Sequence, residues 1–169
     1  LIVRNMGFEY RHKRDNARWR RNWDIAIVFG SILPPVLLGV AFVNIMRGLP
    51  INQRMEFTGN FFTLLNPMSL LGGLTVLALC LVHGAHFIAL KTTGEVRADA
   101  RALATRLGLV ATVLAVALLV WTFVTKHTTW SILTTLLAAV ALLFGIYMNT
   151  RNKEGLAFIG TTVTLAMAI

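Results

Sequence analysis

The sequence predicts an all-α protein, a polytopic bundle of transmembrane helices, and three observations carry that expectation. First, 56% of the 169 residues are apolar and only 14% charged, where an ordinary soluble domain carries about 25% charge; the mean hydropathy is +0.69. Second, four runs contain no Asp, Glu, Lys or Arg: residues 25–46 (22 residues), 57–90 (34), 107–125 (19) and 127–150 (24). At about 1.5 Å per residue, 22 residues make a helix about 33 Å long, enough to cross about 30 Å of hydrocarbon. Third, the basic residues fall unevenly on the segments between those runs. A soluble domain is excluded, and so is a disordered chain, because the apolar content is far too high. The one cysteine, Cys80, lies inside an apolar run, so neither a disulfide framework nor a cysteine metal cluster is available.

Taken in order, residues 1–22 form a polar, basic segment whose first three residues, Leu1-Ile2-Val3, read as the tail of a preceding apolar segment. The first span is expected over 23–46, kinked at Pro34-Pro35, which remove backbone donors. Residues 47–66 form a polar connection whose last part, 57–66, is an interfacial loop. The second span, 67–90, opens on Asn66-Pro67, a capping residue followed by proline at the first helical position. The third span is expected over 107–124 and the fourth over 132–148. A fifth begins at 156 and ends with the sequence at 169, too short to cross. Both termini thus read as cut through membrane helices, giving four full spans, a truncated fifth and the tail of an earlier one, in an internal fragment of a larger protein. No signal peptide is present in these residues.

Alternate polar segments must face opposite sides of the membrane. One side collects Arg4, Arg11, Lys13, Arg14, Arg18, Arg20, Arg21, Lys91, Arg97, Arg101, Arg106, Arg151 and Lys153; the other holds Arg47, Arg54 and Lys126. Thirteen against three assigns the first side to the cytoplasm by the positive-inside rule. The expected topology is therefore cytoplasmic 1–22, 91–106 and 149–155, and periplasmic 47–66 and 125–131. The net charge of +9 is then a belt facing anionic headgroups rather than a nucleic-acid surface.

Side chains inside or beside the spans supply the site candidates. Trp19 and Trp23 flank the first span and Trp121 and Trp130 bracket the loop between the third and fourth, where amphipathic rings anchor at the headgroups. Gly72, Gly73 and Gly84, with Ala85 and the Ala111/Ala115 pair, suit close helix approach. Asp24 stands beside Arg20 and Arg21 at the mouth of the first span, as a surface ion pair or a proton-path group. Asn44, near the far end of the first span, suits a helix–helix hydrogen bond or interfacial solvation.

His83 and His86 are three apart on the second span and are candidate haem or partner contacts. Two histidines one turn apart on one helix cannot clasp a single haem, whose axial ligands lie on opposite faces. The other histidines, His12 and His127, fall outside the expected spans. A histidine hydrogen-bonded to a neighbouring helix or subunit fits better. No nucleophile–base pair, carboxylate pair or phosphate-binding glycine loop is present. From residues alone, three readings stay open: an accessory subunit of a redox enzyme, a secondary transporter whose Pro34-Pro35 mark a discontinuous helix, and a b-type cytochrome using His83 or His86.

The order of short motifs narrows them. Gly7-Phe8-Glu9-Tyr10-Arg11-His12-Lys13 is followed by Arg18-Trp19-Arg20-Arg21-Asn22-Trp23-Asp24, by Gly30-Ser31 and Pro34-Pro35, and by Gly39-Val40-Ala41-Phe42. Arg47-Gly48-Leu49-Pro50, Thr58-Gly59-Asn60-Phe61-Phe62, Leu64-Leu65-Asn66-Pro67, Leu71-Gly72-Gly73 and Ala89-Leu90-Lys91-Thr92-Thr93-Gly94-Glu95 complete the series. This succession resembles subunit II of the cytochrome bd quinol oxidases, densely over residues 1–97 and in hydropathy alone beyond. The resemblance implies a complex of aerobic respiration in a bacterial or archaeal cytoplasmic (inner) membrane. That complex oxidises quinol and reduces dioxygen to water, taking protons up from the cytoplasm. It places two haems b, one haem d and the quinol-oxidising loop in subunit I, and implies neither catalytic residues nor a haem or metal ligand in this chain. The implied partners are subunit I, in a heterodimer, a small single-helix accessory subunit, and membrane lipids. The family's Trp-Asp-Gly segment and its C-terminal helices have no counterpart in these residues.

Overall fold

The structure, a computed structural model, describes residues 1–125 and 129–168, the side chains of 129–132, 134, 135 and 168 excepted. Lys126, His127 and the side chain of Trp130 thus lie outside the described residues. Those residues form seven helices: α1 (Ile2–Tyr10), α2 (Ala17–Arg47), α3 (Phe61–Leu64), α4 (Pro67–Lys91), α5 (Gly94–Thr125), α6 (Thr129–Thr150) and α7 (Glu154–Ala168). Strand pairing among them is limited to one isolated bridge, Ile51 with Phe57. The protein is an all-α bundle, and α2, α4 and α5 are each long and apolar enough to cross a membrane.

Local chemistry sets the helix ends. Asn16 caps α2 by accepting from the Arg18 backbone N–H, and Gly48, at φ +97°, closes it with its N–H on the carbonyls of Asn44 and Ile45. Positive φ carries no Cβ penalty at glycine. Asn66 caps α4 by accepting from the Ser69 N–H, with Pro67 in the first turn. The expected loop over 57–66 holds one helical turn, because Asn60 and Thr63 form a reciprocal capping box. Helix α5 starts well ahead of the apolar run at 107. Its first turns carry Glu95 at the N-terminal dipole and alternate alanines 98, 100, 102 and 104, all favourable to helix.

Pro34 and Pro35 lie inside α2, which runs as one helix from Ala17 to Arg47. The discontinuous span that a transporter reading needs is therefore not formed. Helix α1 folds back antiparallel along α2: a Cβ on Gly7 would meet Ile27, and one on Gly30 would meet Arg4. Residues 4–7 therefore lie level with the start of the first apolar run rather than beyond it, and the count of basic residues keeps its sign wherever Arg4 is placed.

Helix α4 is the centre, packing on α2, α5 and α7. Half of its apolar window (50%) is buried, against 11% in α2 and in α5. Helices α4 to α7 follow one another antiparallel and close on themselves through the α4–α7 contact. Ala78, Leu79 and Val82 of α4, Ala111 of α5 and Leu142 of α6 form the dry core of that four-helix half. All turns joining α4 to α5 and α6 to α7 lie at one end, the basic end, with the start of α2.

Candidate functional site

The tightest helix contact is the crossing of α2 and α4. A Cβ on Gly39 would lie 2.6 Å from the Gly72 carbonyl oxygen and 2.8 Å from the Gly73 Cα. One on Gly73 would lie 2.8 Å from the Val36 carbonyl oxygen, and one on Gly72 would collide with the Val43 side chain. Here backbone packs on backbone, the arrangement small residues permit in membranes. Gly39, which the motif series contained but the packing candidates omitted, is the third member. Gly84 differs: no atom lies within 4 Å of a Cβ there. It makes no close approach among the described residues, whereas its neighbour Ala85 is buried. Gly145 and Gly160 form a second crossing, of α6 on α7, where a Gly160 Cβ would lie 2.9 Å from the Gly145 Cα.

At the basic end of α2, Asp24 accepts from the Arg11 guanidinium through both carboxylate oxygens. Its partner comes from the α1–α2 turn rather than from Arg20 or Arg21 on its own helix; Arg20 bonds Asp15 instead. The same corner holds the aromatic pair. Trp23 stacks on Tyr10 with ring centroids 5.8 Å apart, Trp19 meets Trp23 edge-on, and the Trp19 indole N–H donates to the Tyr10 carbonyl at 2.9 Å. These two tryptophans fasten α1 to α2. Trp121, on α5, is 43% exposed at the opposite end.

At that opposite end Asn44, 6% exposed, donates to the carbonyls of Val40 and Leu64 and accepts from the Asn66 amide at 3.0 Å. It ties the end of α2 to the start of α4.

The two histidines of α4 have different surroundings. The His83 ring shares a 3.0 Å hydrogen bond with the Thr161 hydroxyl of α7 and stacks on Phe158, with centroids 4.4 Å apart. His86 is fully buried, and neither ring nitrogen has a hydrogen-bond partner among the described residues. Near the basic end a polar group that the charge count treated as surface belt is buried. The Glu154 carboxylate, 7% exposed, takes two bonds from Arg97 and lies 3.6 Å from the Arg101 Nε. Burial pushes its pKa up. Its own backbone N–H, Arg97 and Arg101 outweigh that and hold it below the ordinary carboxylate value. Spacing gave a faint signal for this group, since Arg97 and Arg101 are four apart and Glu154 opens a helix; the fold was needed to join them.

An apolar cavity of about 400 Å³ opens between α2, α4, α5, α6 and α7, lined among others by Phe42, Leu79, Leu119 and Leu142. The hydroxyls of Thr75, Thr112, Thr122 and Thr164 on its wall each bond a carbonyl of their own helix one turn back. They offer the cavity little polar capacity. Neither His83 nor His86 lines it, and the described residues contain no cluster of three His, Cys, Asp or Glu able to hold a metal ion. His83 is engaged by Thr161 and Phe158, and His86 is enclosed in the bundle.

The fold thus defines an integral membrane protein whose closest contacts among the described residues are helix crossings. Residues 1–169 match the family described as cytochrome bd terminal oxidase subunit II, and the chain belongs to that family. It is 43% identical over 108 residues to the cytochrome bd-I ubiquinol oxidase subunit 2 of Escherichia coli (strain K12), covering 62% of this chain and 28% of that relative. It is 40% identical over 107 residues to the cytochrome bd ubiquinol oxidase subunit 2 of Bacillus subtilis (strain 168), covering 63% and 32%. Identity to a probable cytochrome oxidase subunit 2 of Haemophilus influenzae is 39% over 128 residues, covering 73% and 34%. The aligned stretches thus span about a third of the length of these relatives.

Proposed function

We propose that this chain acts as the haem-free subunit II of a quinol:dioxygen oxidoreductase, packing against a haem-bearing subunit I in a bacterial or archaeal inner membrane. The family match along residues 1–169 carries this reading. Two haems b and one haem d, held by subunit I, supply the electron transfer and the dioxygen chemistry. This chain's residues supply a low-dielectric wall that keeps lipid and water from one side of those cofactors and so tunes their potentials. The exposed apolar faces of α2 and α5, including Ile25, Phe29, Leu33, Val113 and Val120, suit lipid or the partner's helices. The basic end faces the cytoplasm by the positive-inside rule, and a single-helix accessory subunit is compatible with the remaining outer surface.

A reduced-minus-oxidised spectrum of the purified complex tests the reading. Bands of both b- and d-type are expected, with haem per assembled complex unchanged in His83→Ala and His86→Ala. Selective loss of a b-type band in either variant would assign a ligand to this chain; absence of all bands would sink the oxidase reading. Asp24 is proposed as a proton-path group at the cytoplasmic mouth of α2, where Arg11 must release it before it can take a proton. Asp24→Asn should then slow proton uptake and turnover while Arg11→Gln does not. Equal loss of assembled complex in both variants would reduce Asp24 to a structural ion pair.

A further inference from the structure

The interior of the α4–α7 half changes character one heptad from its dry core. Helices α4 and α6 run parallel, and α5 and α7 run against them. A step of seven residues returns nearly to the same helix face about 10 Å further along. Toward the basic end, that step leads from Leu79 to His86 on α4 and from Leu142 to Asn149 on α6. It leads from Ala111 to Ala104 on α5 and from Thr164 to Ala157 on α7. All four residues reached are 1% exposed or less. A layer that leucines would fill in a dry bundle therefore holds an imidazole, a carboxamide and two alanines.

The hydrogen-bond inventory of this region is incomplete. The Asn149 amide donates to the Arg101 carbonyl at 3.0 Å and to the Thr105 hydroxyl at 2.9 Å, and Arg101 donates from its terminal nitrogen to the Asn149 carbonyl. The Asn149 Oδ1 and both ring nitrogens of His86 are buried with no hydrogen-bond partner among the described residues, and the buried Arg101 Nε, also without a hydrogen bond, has the Glu154 carboxylate at 3.6 Å. A neutral imidazole brings one donor and one acceptor, the carboxamide oxygen is an acceptor, and the guanidinium Nε–H is a donor. Two donors and two acceptors are the complement of water. Buried water molecules bond about three such groups and occupy polar sites of this kind. An aqueous connection is at hand, because the Arg101 side chain is 27% exposed and reaches from the surface beside Glu154 into the layer.

We propose that His86, Asn149 and Arg101 enclose an internal hydration site, holding one or two ordered waters that put the His86 ring in proton exchange with the aqueous phase at the basic end. Only the compartment that supplies the water rests on the topology read from the charges. The site is separate from the Asp24–Arg11 pair, which lies on α2 against α1.

A cryo-electron-microscopy map of the wild-type complex in lipid nanodiscs, at a resolution that shows ordered water elsewhere in the interior, is the direct test. Density is expected within about 3 Å of a His86 ring nitrogen and of the Asn149 Oδ1. A layer without such density, or with His86 bonded directly to Asn149, would overturn the proposal. Two variants give an independent sign. Removing a hydrated, bonded imidazole in His86→Leu should lower the melting temperature by about 2–4 °C or more, while His86→Gln, which keeps a donor and an acceptor, stays near wild type. In a dry layer His86→Leu would instead raise it, because an unsatisfied buried group has been removed. The haem spectrum, read on the same sample, shows separately whether the oxidase reading holds.

Discussion

Asn44 makes three side-chain hydrogen bonds where α2 hands over to α4, and it is nearly buried. Asn44→Leu is nearly isosteric but leaves the Asn66 amide without that acceptor. It should destabilise the purified protein by about 1–3 kcal/mol, seen as an earlier unfolding midpoint in detergent; an unchanged midpoint would show that solvent replaces the bonds at no cost. Glu154 gives the pH-dependent counterpart. Its carboxyl pKa is held below the ordinary value, so its contribution is complete above that value, about 4.3, and is lost as pH falls through the lower folded value. Thermal stability should therefore decline on acidification below about pH 4, and Glu154→Gln should remove that part of the decline while lowering stability at neutral pH. A variant with an undiminished acid decline would place the sensitive group elsewhere. The partners in either role were not legible from the sequence alone. Asn44 read as a helix–helix hydrogen bond or interfacial solvation with no partner named, and Glu154 as one more charge in a polar segment, because the partners of Glu154 are about 55 residues away along the chain.

The crossing of α2 and α4 is where a single side chain has most leverage over an element. Gly73→Leu drives a side chain into the Val36 backbone and the Val40 side chain, and the two helices must separate. On the proposed reading, haem content and quinol oxidase activity of the complex should fall together, because a wall against subunit I would be displaced. Gly84→Leu is the matched control, since its Cβ meets nothing within 4 Å, and it should leave both near wild type. Equal loss in the two variants would mean that leucine at either position acts through insertion or through the partner. The start signal of α4 was readable because Asn66 and Pro67 act locally. It gave Gly72 and Gly73 as packing residues but also Gly84, since small size marks the possibility of close approach and not the face on which a neighbour arrives. The fold-back of α1 on α2 was illegible for the same reason: Gly7 and Gly30 acquire meaning only once the helices are known to be antiparallel.

For the whole molecule, the basic residues gather at one end and the apolar surface faces outward. Cysteines introduced singly at positions 52 and 99, in vesicles of known orientation, should label from opposite sides, with 99 reached from the cytoplasmic side. Labelling of both from one side would invert or break the topology. The all-α bundle was readable because apolar runs of 19–34 residues leave a chain few other choices in a bilayer. The polar layer of the α4–α7 half was not, since it exists only where register on four helices coincides. The central place of α4 has a consequence for biogenesis. During synthesis α4 emerges before α7, so His83 waits for Thr161 through some 78 residues of further translation. Arrest of the nascent chain before residue 154 should leave α4 open along that flank and make the truncated product a substrate for membrane proteases. A pulse-chase comparison of chains ending at 153 with chains that continue through α7 reads this as a shorter half-life for the former.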